Sequence, residues 1–231
     1  MSRTTVFARE QLRAPFTLTL LVAVPAAFVV ASAGVLGDFA EALGGRLAGD
    51  AASSLGAGWA AAFVAGTLGF FQAASSREAD RRLALAGAGA TGVALSRVGA
   101  ALGLAIVAST AGFVALLLHT GSTHPWHAGA AVLAFAVIYM AIGVLIGSLV
   151  TAPLEGSLAV AFVFLLDAFS GPGMAEHAAP YSVSRKAADI LIAAGLGQPS
   201  PLSDWVKLGA VVAGAVALSL TAFVWTARSR T

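Results

Sequence analysis

The sequence GAGWAAAFVAGTLG, residues 56–69, decides the class of fold that this chain adopts. It has no charged side chain, and its many glycines and alanines allow neighbouring helices to approach closely, as they do in transmembrane bundles. The sequence AIGVLIGSLV, residues 141–150, has the same character. Such spacings are common in an alanine-rich chain, so they indicate helix packing without selecting a particular pair of helices.

The composition of the whole chain agrees with this first stretch. Of the 231 residues, 58% are hydrophobic and only 10% are charged, whereas soluble domains are about 25% charged. A soluble globule of this size would need more polar surface, so we predict a membrane protein. The absence of cysteine excludes disulfides and thiol-based sites. A net charge of +2 is too small to indicate nucleic-acid binding.

Six apolar segments follow one another along the chain, and each is close to the roughly 20 residues that a helix needs to cross the hydrocarbon layer. They cover residues 16–36, 56–74, 97–118, 126–150, 154–170 and 205–227. The fifth segment is the shortest and lies near the lower limit for a span. No alternation with a period of two residues indicates strands. We therefore predict an all-α polytopic membrane protein with a single transmembrane domain over residues 1–231.

The distribution of basic residues predicts the orientation of these spans. Six spans place both termini on the same side of the membrane. Nine of the 13 Lys and Arg residues lie on that side: Arg3, Arg9, Arg13, Arg77, Arg81, Arg82, Arg97, Arg228 and Arg230. The positive-inside rule then makes both termini cytoplasmic, in a plasma or inner membrane. The first segment also resembles a secretory signal, but its length favours an uncleaved span.

The connection between the fifth and sixth segments predicts a further short helix. Gly-Pro-Gly at residues 171–173 breaks the fifth helix. Ser184 can then cap a helix that carries apolar residues up to Ile192 and ends at Gly195. That helix is too short to span, so we expect it at the outer interface or as a re-entrant element.

Motifs that would indicate catalysis or metal binding are missing from the sequence. It contains no G-x-x-x-x-G-K-[ST] P-loop and no H-E-x-x-H spacing. A cluster formed by His119, His124 and His127 is a candidate metal or proton site, but polar loop residues beside an interfacial Trp126 explain it better. We therefore predict no catalytic residue, no metal and no cofactor bound by this chain.

Two acidic residues flank the fifth segment. Asp167 lies within it, and an ionisable residue in a span is a candidate for a transport pathway or gate. The alternative is that Asp167, near the end of its segment, simply reaches the interface. Glu155 follows Pro153 at the other end, where a helix N-terminus favours an anion, so local stabilisation is the preferred interpretation.

Charge is concentrated in the sequence SSREADRRLALAG, residues 75–87, which holds three arginines and two acidic residues. Glu78 and Arg82 are four apart, the favourable orientation for a helical ion pair. We predict a short cytoplasmic helix over residues 76–86, between spans two and three. A loop that only fixes topology is the alternative, but Leu83 and Leu85 would then be exposed without a partner, so we favour docking of a protein.

The N-terminal sequence SRTTVFAREQLRAPF, residues 2–16, places apolar residues among arginines. This pattern is typical of a helix that lies on the inner membrane surface, and we predict such an amphipathic segment over residues 3–14. A simple positive topology signal explains the same residues equally well.

The order of these features resembles the permease subunits of type-2 ABC exporters, the relatives of the daunorubicin-resistance permeases. The resemblance rests on AREQLRAPF at residues 8–16, READRRLALAGAGATGVALSR at 77–97 and AAPYSVSRKAADIL at 178–191. The last motif has altered spacing and lacks the family's asparagine, and the chain is small for the class.

The resemblance implies a division of labour between subunits. A cytoplasmic ABC ATPase, in two copies, would bind ATP and Mg and drive export, while a second permease chain completes the pathway in the lipid membrane. The segment that couples to the ATPase would contain Arg77, Glu78, Asp80, Arg81, Arg82, Leu83 and Leu85. The interfacial N-terminal helix would use Arg9, Glu10 and Arg13, and the pathway or gate Asp167, Glu155 and Tyr181. The substrate would be amphiphilic: a drug, a lipid or a hydrophobic peptide.

Two other classes of function compete with this interpretation. A secondary transporter or channel would need no ATPase, but such proteins usually place several ionisable groups in their spans, and here Asp167 is the one that qualifies. A membrane scaffold or intramembrane enzyme ranks last, because no pair of candidate catalytic residues is present.

Overall fold

A computed structural model describes residues 15–47, 49–83, 87, 89–122, 124–150, 152–174 and 182–228, and this part of the chain is all-α. Its seven helices are α1 (Pro15–Ala42), α2 (Gly49–Leu83), α3 (Ala90–His119), α4 (Pro125–Leu149), α5 (Pro153–Phe169), α6 (Arg185–Gly195) and α7 (Leu202–Arg228). The predicted N-terminal segment at residues 3–14 lies outside the described residues.

Four of the described helices are long and apolar enough to cross a membrane. They are α4 and the greater parts of α2, α3 and α7. The two arms of α1, Ala23–Ser32 and Gly34–Ala42, are bent by 59° and make a fifth candidate if they count as one span. Ser and Gly beside the bend are typical of helix kinks. The protein is therefore an all-helical membrane protein with four or five candidate spans in its described part.

The total of six spans is not confirmed, because α5, which covers the fifth predicted segment at residues 154–170, is short. It has 17 residues, which extend over about 25 Å at 1.5 Å per residue. The hydrocarbon layer is about 30 Å thick. Pro153 starts this helix and the Gly-Pro-Gly turn follows its end, so neither end can be extended.

The centre of the bundle is a contact between the backbones of α2 and α4, which run in the same direction. A Cβ atom on Gly143 would lie 2.0 Å from the carbonyl oxygen of Gly66. A Cβ on Gly69 would lie 2.6 Å from the Met140 oxygen, and one on Gly147 would lie 2.6 Å from the Phe70 oxygen. The two small-residue sequences at residues 56–69 and 141–150 therefore pack against each other. At Gly69, Gly143 and Gly147 no larger residue fits without moving the facing backbone.

The other helices pack around this pair and leave apolar side chains on the outside. We compared an apolar stretch of 18 residues from each helix. In α2, 78% of these residues are buried, but in α7 only 17% are buried. Leu202, Leu218 and Trp225 of α7 are largely exposed. Such an apolar periphery around a buried central pair is what lipid contact requires.

The prediction of a separate helix over residues 76–86 is wrong for the part that is described. Residues 76–83 are the last turns of α2, which runs unbroken from Gly49 to Leu83. Neither glycine nor proline occurs between Phe70 and Leu83, so no residue ends the helix when the sequence becomes polar. The first glycine with a positive φ after this helix is Gly87, at 94°.

The short helix before α7 is confirmed. Its N-cap is Ser184, it ends at Gly195, and Gly197 follows with a φ of 68°. Its buried residues are Ala187, Ala188, Ile190, Leu191 and Ala194. A Cβ on Gly58 of α2 would lie 2.6 Å from Leu191 and 2.7 Å from Phe135 of α4. The helix α6 therefore packs into the helical bundle rather than on its surface.

We expect Gly143→Ala to destabilise the protein, because the new Cβ would collide with the Gly66 carbonyl. Overpacking of this kind costs about 1–3 kcal/mol. Gly214→Ala on α7 is the matched control: a Cβ there meets no atom within 4 Å, so it should be neutral or slightly stabilising. Thermal unfolding in detergent compares the two variants. Equal midpoints would contradict the central role of this contact.

Candidate functional site

Arg77 joins the last turns of α2 to the C-terminal end of α4. Its Nε donates to the Gly147 carbonyl at 3.0 Å, and its Nη2 donates to the carbonyls of Gly147 and Val150. The last carbonyls of a helix lack intrahelical partners and carry partial negative charge, so a guanidinium is well suited to cap them. We call this region of the bundle the Arg77 end, and the region around α6 the α6 end.

The opposite face of these turns of α2 is exposed. Its members share the helical spacing i, i+3, i+4, i+7 and i+8. They are Ser75, Glu78, Ala79, Arg82 and Leu83, which we call the exposed α2 face. Glu78 and Arg82 form the predicted ion pair at 3.1 Å, with side chains 67% and 78% exposed. Leu83 is 38% exposed.

The residues predicted to couple to an ATPase therefore fall into two groups, one inside the bundle and one on its surface. Arg77 faces the bundle, whereas Glu78, Arg82 and Leu83 lie on the exposed α2 face. Asp80 and Arg81 are on α2, but their side chains are outside the described part. Leu85 is not among the described residues.

A buried polar contact lies one turn further into the bundle. The side-chain amide of Gln72 donates to the Arg97 carbonyl at 3.3 Å, which links α2 to α3. Both side chains are buried, with 3% and 9% exposed. The sequence predicted a span that starts at Arg97. In the structure α3 begins seven residues earlier, at Ala90, directly after Gly89. Gln72 could not be predicted as a contact residue, because a single glutamine in an apolar run carries no spacing signal.

Asp167 is held at a junction of three helices. Its Oδ2 accepts from the Tyr139 hydroxyl at 2.6 Å and from the Ser184 N–H at 3.3 Å, and its Oδ1 accepts from the Val183 N–H at 2.8 Å. Asp167 is 7% exposed and Tyr139 only 1%. Since Tyr139 lies near the middle of α4, this carboxylate lies inside the bundle.

The same carboxylate accepts from the two backbone N–H groups that immediately precede α6. Ser184 occupies the N-cap position but makes no side-chain cap hydrogen bond. The backbone N–H groups of Val183 and Ser184 point to Asp167 instead. A negative charge at a helix N-terminus is favourable, because the free N–H groups there carry partial positive charge.

The remaining candidate gate residues are not brought to this junction. Glu155 is exposed in the first turn of α5, at the opposite end of that helix from Asp167. This position agrees with the local stabilisation of a helix N-terminus. Tyr181 lies outside the described residues, as do Arg9, Glu10 and Arg13.

An ion-pair cluster also fastens α6 to α7. The Lys186 Nζ lies 2.9 Å from Asp189 and 3.0 Å from Asp204, the latter in the first turn of α7. Hydrogen bonds to Asp189 and then to Asp204 raise the pKa of Lys186 above its usual value. Nearby, the His127 ring lies on Trp205, with centroids 5.4 Å apart, so at least one residue of the histidine cluster packs between helices.

A cleft of about 670 Å³ opens at the α6 end. Asp38, Glu41 and Arg46 supply its charged wall, while Ile192 and Leu196 of α6 contribute an apolar wall. Its size falls in the range of small-molecule sites, about 300–1,000 Å³.

No protein-family model matches this sequence, and the searches of curated proteins and of solved structures gave no match. The functional interpretation therefore depends on the residues and their geometry.

We expect Arg77→Ala to lower stability clearly more than Arg82→Ala. The first change removes a charged donor from two terminal carbonyls of α4, and hydrogen bonds of this kind contribute about 1.5–3 kcal/mol. The second removes one exposed ion pair, which contributes about 0–1 kcal/mol. Unfolding midpoints in the same detergent provide the comparison. Equal losses would show that Arg77 does not join the two helices in the way described.

Proposed function

We propose that this chain is the membrane-spanning permease subunit of an ATP-driven ABC transporter that exports an amphiphilic substrate. The observation that carries the proposal is the exposed α2 face, a charged extension of a central helix. Arg77 connects the same turns to the second central helix. A partner that binds this face would therefore act on both α2 and α4.

The proposed arrangement has six spans with both termini in the cytoplasm. The bent α1 is the first span and the short α5 is the fifth. Because α5 is shorter than the hydrocarbon layer is thick, it requires local thinning of the bilayer. The excess of basic residues toward the termini and the Arg77 end supports this orientation. In this arrangement the Arg77 end is cytoplasmic, and α6 is a re-entrant element on the outer side.

The proposed mechanism uses ATP in a partner subunit. Two ATPase copies bind ATP and Mg, and two permease chains, identical or different, form the pathway. Closure of the ATPase dimer displaces the exposed α2 face, and the α2–α4 contact carries that displacement across the membrane. ATP is then the ligand that shifts a two-state equilibrium between inward-open and outward-open forms.

A secondary transporter or channel is the second candidate. Such a protein needs an ionisable group that can exchange an ion or proton with solvent. Asp167 accepts from three donors, and two of them are backbone N–H groups at the start of α6. These contacts support a structural role in the resting state. This observation favours the ATP-driven permease over the secondary transporter.

Cysteine labelling tests the orientation, since the natural chain has no cysteine. Ser75 and Gln198 are both exposed, at the Arg77 end and the α6 end respectively. An impermeant maleimide added to intact cells should label Gln198→Cys, and should label Ser75→Cys only after permeabilisation. Labelling of Ser75→Cys in intact cells would contradict the proposed topology.

Leu83→Asp tests the docking of an ATPase. The change places a charge where an apolar contact with the partner is expected, which is unfavourable, so it should abolish co-purification of an ATPase subunit expressed with the chain. Arg82→Ala should have little effect, because exposed ion pairs are weak. Leu43→Asp is the control, since Leu43 is 46% exposed, follows the end of α1 and lies at the opposite end of the bundle.

The docking experiment has two readouts, retention of the ATPase and ATP hydrolysis by the purified complex. We expect the permease chain alone to show no hydrolysis above background. If Leu83→Asp inserts normally, retains the ATPase and supports hydrolysis as the unchanged chain does, the exposed α2 face is a solvated extension and not a docking site.

A further inference from the structure

The side-chain amide of Gln72 has a donor group and an acceptor, and its contact with α3 uses the donor. Nε2 donates to the Arg97 carbonyl at 3.3 Å. Oε1 is buried and has no hydrogen-bond partner among the residues that the structure describes. Turning the amide over would place Oε1 against the Arg97 carbonyl, and both of these oxygens are acceptors. The unpartnered atom is therefore an acceptor that requires a donor.

This acceptor lies where neither bulk water nor lipid supplies a donor. Gln72 is 3% exposed and belongs to the candidate span Gly49–Ala79 of α2. The hydrocarbon around a bundle has no hydrogen-bonding groups, and leaving a buried polar atom unpaired is costly. Nearly all such atoms in native proteins bond to protein or to ordered water. A donor held inside the bundle is the remaining source.

A small cavity beside Gln72 has room for such a donor. Its volume is about 10 Å³, at the lower limit of the roughly 10–15 Å³ that one water molecule requires. It lies where four helices meet. Its walls are formed by Gln72 and Ala73 of α2, Arg97 and Val98 of α3, Val144 of α4 and Phe223 of α7. None of these residues is more than 9% exposed, so the cavity is internal.

The size and the charge of the cavity select its ligand. A chloride ion has no proton to donate to Oε1, so it does not satisfy Gln72. Arg97 is permanently protonated, and its positive charge disfavours a cation in the same cavity. A water molecule is neutral, fits the volume and can both donate and accept.

We propose that this cavity binds a single water molecule that donates to Oε1 of Gln72. Arg97 is the second polar residue in the cavity wall, and its guanidinium has five N–H groups from which the water can accept. The water then joins α2 to α3 beside the direct hydrogen bond between Gln72 and Arg97. The site does not rest on the transport function proposed above, because every contact in it is internal to the chain.

Water-edited solid-state NMR of the full chain in liposomes tests this site. The chain has three glutamines, Gln11, Gln72 and Gln198, and no asparagine. Nitrogen-isotope labelling of side-chain amides therefore gives few signals, and Gln72→Met identifies the one from Gln72. At mixing times shorter than amide exchange, we expect transfer of magnetisation from water to the Gln72 amide although this side chain is buried. Gln198 is exposed and provides the positive control.

Val144→Ile tests whether the cavity is the source of this water, because it adds a methyl group to the cavity wall and displaces the water. Transfer to the Gln72 amide should then be lost. Val132→Ile is the matched control, since Val132 is a buried valine of the same helix, 0% exposed, that does not line the cavity. It should leave the transfer unchanged. Val98→Ile makes the same test from α3 if Val144→Ile does not fold.

Three results would overturn the proposal. Absence of transfer to Gln72 in the unchanged chain would show that the cavity is dry. Transfer that persists when the cavity is filled would show that water reaches Gln72 by another route. An equal loss in Val132→Ile would show that the signal reports general packing of α4. None of these results bears on the docking of an ATPase, so the water site and the proposed function are tested separately.

Discussion

The contact between the backbones of Gly66 and Gly143 is the constraint on which the rest of the structure depends. Because the carbonyl oxygen of one helix lies where a side chain on the other would begin, α2 and α4 are closer than helices with ordinary side chains can be. Lipid chains are as apolar as leucine, so burial of leucine alone does not drive association in a bilayer. Close approach of small residues supplies the packing instead, and the peripheral helices are arranged around the pair that it forms.

Two polar contacts at opposite ends of this pair obey the same electrostatic rule. At one end, the cation of Arg77 meets the carbonyls at the C-terminus of α4. At the other, the anion of Asp167 meets the N–H groups at the N-terminus of α6. Each charge is opposite in sign to the partial charge of the helix end that it meets. The first contact joins helices that are distant in the sequence, and the second joins α5 to the helix that follows it. Each therefore fixes tertiary structure as well as a helix terminus.

Much of the fold could be predicted from local patterns, whereas most of the site could not. The apolar runs, the glycine spacing and the cap and stop residues of α6 are properties of short windows, and they indicated helices where helices occur. The continuation of α2 to Leu83 could also have been predicted, since no glycine or proline interrupts the helix there. The change from apolar to charged residues suggested a separate helix instead. The partners of Arg77 and Asp167 lie 70 and 28 residues away. No periodicity within one helix indicates such a pairing, which depends on how the helices assemble.

The position of Gly66 gives α2 a mechanical property. It lies midway between Gly49 and Leu83, so the arms on either side of the glycine contact are each about 25 Å long at 1.5 Å per residue. A straight helix that tilts about this point behaves as a lever with equal arms: whatever distance Leu83 moves, the start of α2 moves as far in the opposite direction. Ala51, against which α6 ends, is on that second arm. A displacement at the charged end is therefore neither amplified nor reduced when it reaches the end of α2 that α6 contacts.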